Sequence, residues 1–318
     1  MSVKPEYSYP KKIVIGTRGS PLALAQTCMV RELIDSIGQG VRVEVRVILT
    51  SGDWKPEDGE VRLNALAGGK AQFAKEIEEA MLAGDIDIAV HSMKDMETVL
   101  PDGLVIPFML PREDARDAFL SSKFKTINDL PIGAVVGTAS ARRQAFLLHK
   151  RPDLKTVTFR GNVQTRIDKL RNGQVDATFL ACAGLNRLGL SHEITSVMDM
   201  GDMLPAVGQG AVGIEIRESD MRKLSFLGQF LCSNTYRCVE AERGVLRALS
   251  GSCHTSVGVH AVLDDMLMRL RVQVVSPDGS VSWGDDVSEV ITSDIDARIF
   301  GETIGNRLKK NIPQGILV

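Results

Sequence analysis

Short apolar runs alternate with helix-spaced amphipathic stretches through the first two thirds of this chain, a pattern that restricts it to an α/β fold. Ile13-Val14-Ile15 leads into a helical pattern over residues 21–36, with Ser20 as the expected cap and Pro21 at the first helical position. Residues 43–49 read as a strand, and residues 71–83 have helical spacing. Ile86, Ile88 and Val90 alternate with Asp85, Asp87 and Ala89, the period-2 signature of a strand. Residues 134–136, 157–159 and 177–180 repeat the theme, each followed by a helical or turn segment, so largely parallel sheets are expected.

At 318 residues the chain exceeds the size, about 250–300 residues, at which one hydrophobic core usually stops growing. Pro-bearing stretches at 107–112 and 205–210 read as crossings between lobes, and 212–216 reads as a strand that returns to the first lobe. From about residue 231 the character changes: a helix over 239–249 precedes strand-like stretches at 257–262, 268–275 and 281–283. Pro277-Asp278-Gly279 supplies a turn between the last two, and a helix over 295–309 closes this part. The expected division is 1–110 with 211–230, then 111–210, then 231–318.

Composition excludes several function classes. A net charge of −2 gives no global basic field to attract nucleic acid or an anionic membrane, and 5% aromatics are too few for a base-stacking platform. Met1 to Lys12 is polar and Pro-containing, unlike a secretory leader, and no apolar run is long enough for a bilayer span. Five cysteines, an odd number without CxxC spacing, point to a reducing compartment and one thiol with a chemical task.

The arginines carry the most information. A helix N-terminus is partially positive, so cations in its first turn are unfavourable by ~0.3–1 kcal/mol. Yet Thr17-Arg18-Gly19-Ser20-Pro21 joins a strand to a helix. Gly137-Thr138-Ala139-Ser140-Ala141-Arg142-Arg143 also follows a strand and puts two Arg in the first turn after Ser140. Arg160-Gly161-Asn162 ends another strand, with Arg166 in the helix beyond. A single such turn is ordinarily explained by a surface carboxylate. Three of one kind point to an external anion, held by backbone N–H groups and guanidinium forks where the strands' carboxyl ends gather.

His91-Ser92-Met93-Lys94-Asp95 follows the alternating strand, so Lys94 can bind a carboxylate and Asp95 can stabilise a cation or move a proton. Alone, such a pair is more often a cap or an ion pair, and His91 reads as a satisfied, partly buried residue rather than a base. Gly251-Ser252-Cys253-His254 places a thiol among small residues on a loop, where ionisation would make it nucleophilic. No second ligand pair at suitable spacing supports a metal. Gly208-Gln209-Gly210-Ala211-Val212-Gly213 matches G-x-G-x-x-G, but a strand follows it where a dinucleotide site requires a helix. Gly68-Gly69-Lys70 lacks the rest of a P-loop and reads as a mobile basic loop.

Taken in order, these segments resemble the hydroxymethylbilane synthase (porphobilinogen deaminase) family over nearly the whole chain. The resemblance also runs through Arg112-Glu113-Asp114, Arg116-Asp117-Ala118-Phe119, Arg160-Gly161-Asn162-Val163, residues 185–189 and Leu204-Pro205-Ala206-Val207-Gly208-Gln209-Gly210-Ala211. It implies two α/β lobes of the bilobed periplasmic-binding-protein type plus a smaller α+β C-terminal domain. It implies a dipyrromethane cofactor joined by a thioether to Cys253, which is extended by four porphobilinogen units, each losing ammonia, before hydrolytic release. By the same resemblance Lys94, Thr138, Ser140, Arg142 and Arg143 hold the cofactor. Arg18, Ser20, Arg160, Arg166, Arg187 and Gln209 hold substrate or the growing chain, Asp95 is catalytic, and Lys70 lies on a mobile loop. A cytoplasmic monomer needing no metal is expected. The sequence departs from the family pattern at Met96-Glu97, Ala71, Ala139 and Ser252. A bilobed anion-binding protein without catalysis would share the arginine turns and crossings, but would leave Cys253 and Asp95 without a task.

Overall fold

The computed structural model describes residues 7–51, 74–249, 256–313 and 315–316. The chain begins with β1 (Lys12–Thr17), α1 (Pro21–Ser36), β2 (Arg42–Val47), α2 (Lys75–Leu82), β3 (Ile88–Ser92) and β4 (Leu104–Met109). A second set follows: β5 (Asp117–Leu120), β6 (Val135–Gly137), α3 (Ala141–Lys150), β7 (Lys155–Val157), α4 (Val163–Arg171), β8 (Ala177–Ala181), α5 (Cys182–Arg187) and β9 (Ser196–Val197). Then come β10 (Val212–Arg217), α6 (Ser233–Ala248), β11 (Val257–Asp264), β12 (Leu267–Val275), β13 (Ser282–Val290) and α7 (Asp294–Lys309).

Two five-stranded sheets, ordered β2-β1-β3-β10-β4 and β7-β6-β8-β5-β9, form the centres of two α/β lobes. They are mixed, not largely parallel as the alternation suggested. β1 runs parallel to β2 and β3, and β6 parallel to β7 and β8. β10 is antiparallel to β3 and β4, and β5 antiparallel to β8 and β9. The reason lies in the crossings. β4 and β9 end where the lobes meet, so β5 and β10, which follow them, enter at that end and run the other way.

Helices cover these sheets, which is why strands such as β1 and β8 are near-continuous apolar runs; Ile13, Ile15, Ile88, Ala177 and Phe179 are buried. α1 starts as expected: the Ser20 hydroxyl accepts from Ala23 N (3.3 Å) and Pro21 follows. The third body is the antiparallel meander β11-β12-β13 with α6 and α7 packed on one face over Val245, Val259, Leu270, Val274, Phe300 and Ile304. α6 and α7 approach so closely that a Cβ on Gly301 would run into the Ala241 carbonyl oxygen. The β12–β13 turn is at 276–281, where Gly279 takes φ +79° and Asp278 accepts from Ser280 N (3.1 Å). β13 runs well past the expected 281–283, and its pattern of half-buried and exposed residues explains the weak apolar signal.

This third body grips both crossings. Glu242 of α6 is fully buried and accepts from Arg112 Nη1 (2.6 Å) and Nη2 (3.1 Å) on the first crossing, and from Gly208 N (2.8 Å) on the second. It also accepts from Ala261 N of β11 (2.9 Å). Arg112 Nε reaches Gln209 O (2.9 Å), so one guanidinium and one carboxylate staple the two strands of the hinge together.

Candidate active site

In the first lobe, the carboxyl ends of β1 and β3 open on a cleft lined by Arg18, Ser20, Gln26, His91, Ser92, Asp95 and Met96. Asp95 ends a short 3-10 turn, Met93–Asp95, anchored by the buried Met93 and half-buried itself. Lys94 is half-buried on the same turn. Downstream, Arg243 of α6 donates to Glu97 O (2.6 Å) and braces the segment. Gln26 is buried and its Nε2 donates to Ser92 Oγ (3.2 Å), tying α1 to the end of β3. His91 meets Glu215 of β10 (Nε2···Oε2 2.8 Å), both buried, so it is a satisfied structural residue as expected. Behind them Glu78 of α2 has its carboxyl pushed up to about 7, first by burial and then by the Glu215 charge.

The second lobe handles charge differently. Ser140 caps α3, its hydroxyl accepting from Arg143 N (3.4 Å), and Thr138 Oγ1 accepts from Ser140 N (3.1 Å). Arg142 and Arg143 follow in the first turn but are only 5% and 6% exposed. Both turn onto Asp117, the first residue of β5, which is fully buried. Arg143 donates from Nε (3.1 Å) and Nη2 (2.7 Å) to Asp117 Oδ1, and from Nη1 to Phe179 O (2.8 Å). Arg142 places Nη2 2.7 Å from Asp117 Oδ2 and donates from Nη1 to Leu204 O (2.6 Å). Gln209 Nε2 donates to Ala115 O (2.6 Å) and Asp117 Oδ1 (3.0 Å). Burial alone would raise the Asp117 carboxyl; the two guanidiniums outweigh it and hold it well below the usual range. Burial also lowers Arg142 from its ordinary value, against the Asp117 charge.

The remaining expected residues take other positions. Arg160 is buried just beyond β7, and Arg166 Nε donates to Gly161 O (2.8 Å) in the turn ahead of its own helix. Arg187, at the end of α5, donates from Nη2 to Gly210 O of the second crossing (2.6 Å). Cys253 and Lys70 lie outside the described residues. Ser256, three positions after Cys253, has its hydroxyl 3.4 Å from Ala141 O, at the turn that carries Arg142 and Arg143. The structure thus brings Arg18, Ser20 and Asp95 into one cleft, and Arg142, Arg143 and Gln209 around one carboxylate. Sequence reasoning missed Asp117, Gln26 and Ser92. For Asp117 a signal existed: an acidic residue opening an otherwise apolar strand, Asp117-Ala118-Phe119-Leu120, must find a cationic partner if it is buried. Among the described residues no group of three or more His, Cys, Asp and Glu could hold a metal ion.

Comparison with known proteins agrees with this arrangement. The family described as "Porphobilinogen deaminase, dipyromethane cofactor binding domain" matches residues 13–225, and "Porphobilinogen deaminase, C-terminal domain" matches residues 236–310. Porphobilinogen deaminase of Nitrobacter hamburgensis is 49% identical over 271 residues, 85% of this chain and 84% of that protein. The chloroplastic enzyme of Oryza sativa subsp. japonica is 44% identical, covering 95% of this chain and 85% of its own, and that of Phenylobacterium zucineum 42%, covering 96% and 98%. Among solved structures, the methionine binding protein MetQ overlays with a TM-score of 0.42 at 18% identity, covering 71% of this chain and 90% of that one. That overlay is too loose to add to the topology. With the cofactor-binding and C-terminal parts both matched in order and relatives aligned over most of its length, this chain belongs to the porphobilinogen deaminase family.

Proposed function

We propose that the chain is a hydroxymethylbilane synthase that condenses four porphobilinogen units head to tail and frees the linear tetrapyrrole by hydrolysis. The observation that carries this reading is the meeting of Asp95, Arg18 and Ser20 in one cleft at the carboxyl ends of β1 and β3. Porphobilinogen bears two carboxylates and an aminomethyl arm. Arg18, Ser20, Arg160 and Arg166 hold the carboxylates of substrate and growing chain, each charge-assisted bond contributing roughly 1.5–3 kcal/mol. Arg187 and Gln209 contribute from the second crossing. When the arm's C–N bond breaks, ammonia leaves and positive charge develops on the pyrrole; the Asp95 carboxylate stabilises it there. After the new C–C bond forms, Asp95 accepts the proton lost from the attacked ring carbon.

The arginine pair fits an acid-bearing pyrrole cofactor. Arg142 Nε is buried with no hydrogen-bond partner among the described residues, and two guanidiniums on one carboxylate leave a single net positive charge. Lys94, Thr138, Ser140, Arg142 and Arg143 would hold the dipyrromethane, with Cys253 as its thioether anchor. When bound, it supplies the free pyrrole carbon on which growth starts. Ser256, the first described residue after Cys253, meets Ala141 O of the turn that carries both arginines.

The proposal extends to a cytoplasmic monomer divided as 1–110 with 211–230, 111–210 and 231–318. Free thiols at Cys28, Cys182, Cys232 and Cys238 support a reducing compartment. Among the described residues no helix is long and apolar enough to cross a membrane. Light scattering at the mass of a single chain tests the monomer. Intact-protein mass tests the anchor: an added dipyrrole is expected on the native chain and none on Cys253→Ala. Mass identical in the two would remove Cys253 from the mechanism.

A further inference from the structure

We infer that Asp117 is a positioning residue for the cofactor arginines: it fixes both guanidiniums, sets the pair at one net positive charge, and ties them to the second crossing through Gln209. This rests on the reading of Arg142 and Arg143 as holders of the cofactor's carboxylates.

Asp117 is the first residue of the strand that follows the first crossing, paired in register with Ala181 at the end of β8. Its two oxygens divide the work. Oδ1 takes Arg143 through Nε and Nη2 and also Gln209 Nε2, while Oδ2 faces Arg142 Nη2. Backbone carbonyls of Phe179 and Leu204 take one further N–H from each arginine. Neither guanidinium can swing without breaking two kinds of contact.

The pair keeps bonding capacity for a ligand: Arg142 Nε is buried without a partner among the described residues, and Asp117 Oδ2, 2.7 Å from Arg142 Nη2, makes no aligned hydrogen bond. A second acidic residue would have neutralised the pair and left nothing to draw an anion. Two guanidiniums with no counter-ion would be too unfavourable to bury. One carboxylate between two arginines lets the polypeptide fold around them and still leaves the pair one negative charge short.

The test compares thermal midpoints of mass-verified protein with and without the covalent dipyrrole, for native chain and Asp117→Asn. A ligand held by prepositioned arginines raises the midpoint of the loaded protein, and that gap is expected to shrink to roughly half or less in Asp117→Asn. The adduct-bearing fraction is expected to fall about tenfold, because the noncovalent complex from which the thioether forms is weakened by that factor. A merely structural role lowers both midpoints together and leaves the gap intact, which overturns the inference, as does a native adduct fraction in folded Asp117→Asn. If Asp117→Asn fails to fold, Asp117→Glu and Gln209→Leu are measured the same way. A reduced gap in either supports the inference, and an unchanged gap in both overturns it. Arg142→Ala separates the two levels. Full adduct in Arg142→Ala sinks the cofactor reading itself, whereas its loss there beside a native gap in Asp117→Asn sinks only the role given to Asp117.

Discussion

The two lobes solve one electrostatic problem in opposite ways. Both carry strand-to-helix turns at the carboxyl ends of their strands with arginine nearby, where a helix N-terminus disfavours cations. In the first lobe Arg18 precedes the Ser20 cap, stays half-exposed and lines the same open cleft as Asp95. In the second, Arg142 and Arg143 are inside the helix and almost fully buried, made tolerable by Asp117 arriving on a different strand. On the proposed reading, the open site keeps the Asp95 carboxylate accessible to a small, exchanging substrate. A sealed site gives up exchange and gains fixed geometry, which suits a ligand that stays.

If that contrast holds, removing a charge from each side has different consequences. Asp95→Asn is expected to lower tetrapyrrole formation by about 10²–10⁴-fold, the range for a positioned acid–base group, with a native thermal midpoint. Arg143→Gln is expected to destabilise the protein by about 3–5 kcal/mol, because it strips donors from a fully buried carboxylate. Steady-state rates and denaturant titrations on the same preparations check both. A stability loss in Asp95→Asn as large as that in Arg143→Gln would erase the distinction between open and sealed.

Local signals were far easier to read from sequence than the pairing around Asp117. Ser20, Pro21 and Ser140 announce helix starts through local chemistry, and the structure places all three as caps or first-turn residues. Period-2 alternation located β3, and the turn residues around Gly279 located the last hairpin. These signals span a few residues. Direction within a sheet does not: β5 and β10 are reversed because of where the crossings deliver them, which no window of sequence records. The Asp117 pairing is hidden for the same reason, since its partners lie 26 residues away in α3 and 92 away in Gln209. Arginines in a first turn signalled an anion; only the fold shows that part of that anion is the protein's own.

A smaller effect probes how rigid the open side must be. Gln26→Leu keeps the side chain's bulk but removes the donor to Ser92, and the bond is expected to be worth about 0.5–1.5 kcal/mol. Turnover should fall only a few-fold, with the porphobilinogen KM carrying most of the change if Ser92 merely lines the cleft. A loss as deep as that of Asp95→Asn would mean the α1–β3 tie positions the reacting groups, making the first lobe as preorganised as the second.

The gentlest test uses pH, because each lobe buries a carboxyl shifted in the opposite sense. Asp117 is held far below its unfolded value by two guanidiniums, so its contribution is complete above about pH 3.8 and is lost as acid protonates it. Glu78 is raised from 4.5 to about 7, so its contribution is complete below pH 4.5 and is lost as pH rises through 7, when a second negative charge appears beside Glu215. The thermal midpoint of the native protein should therefore decline between pH 4.5 and 7 by an amount that Glu78→Gln removes. Asp117→Glu should leave that neutral-range slope untouched, because its carboxylate titrates elsewhere. Were Glu78→Gln to keep the full decline, Glu78 would not be the group whose ionisation weakens the first lobe, and the contrast between the two buried carboxyls would fall.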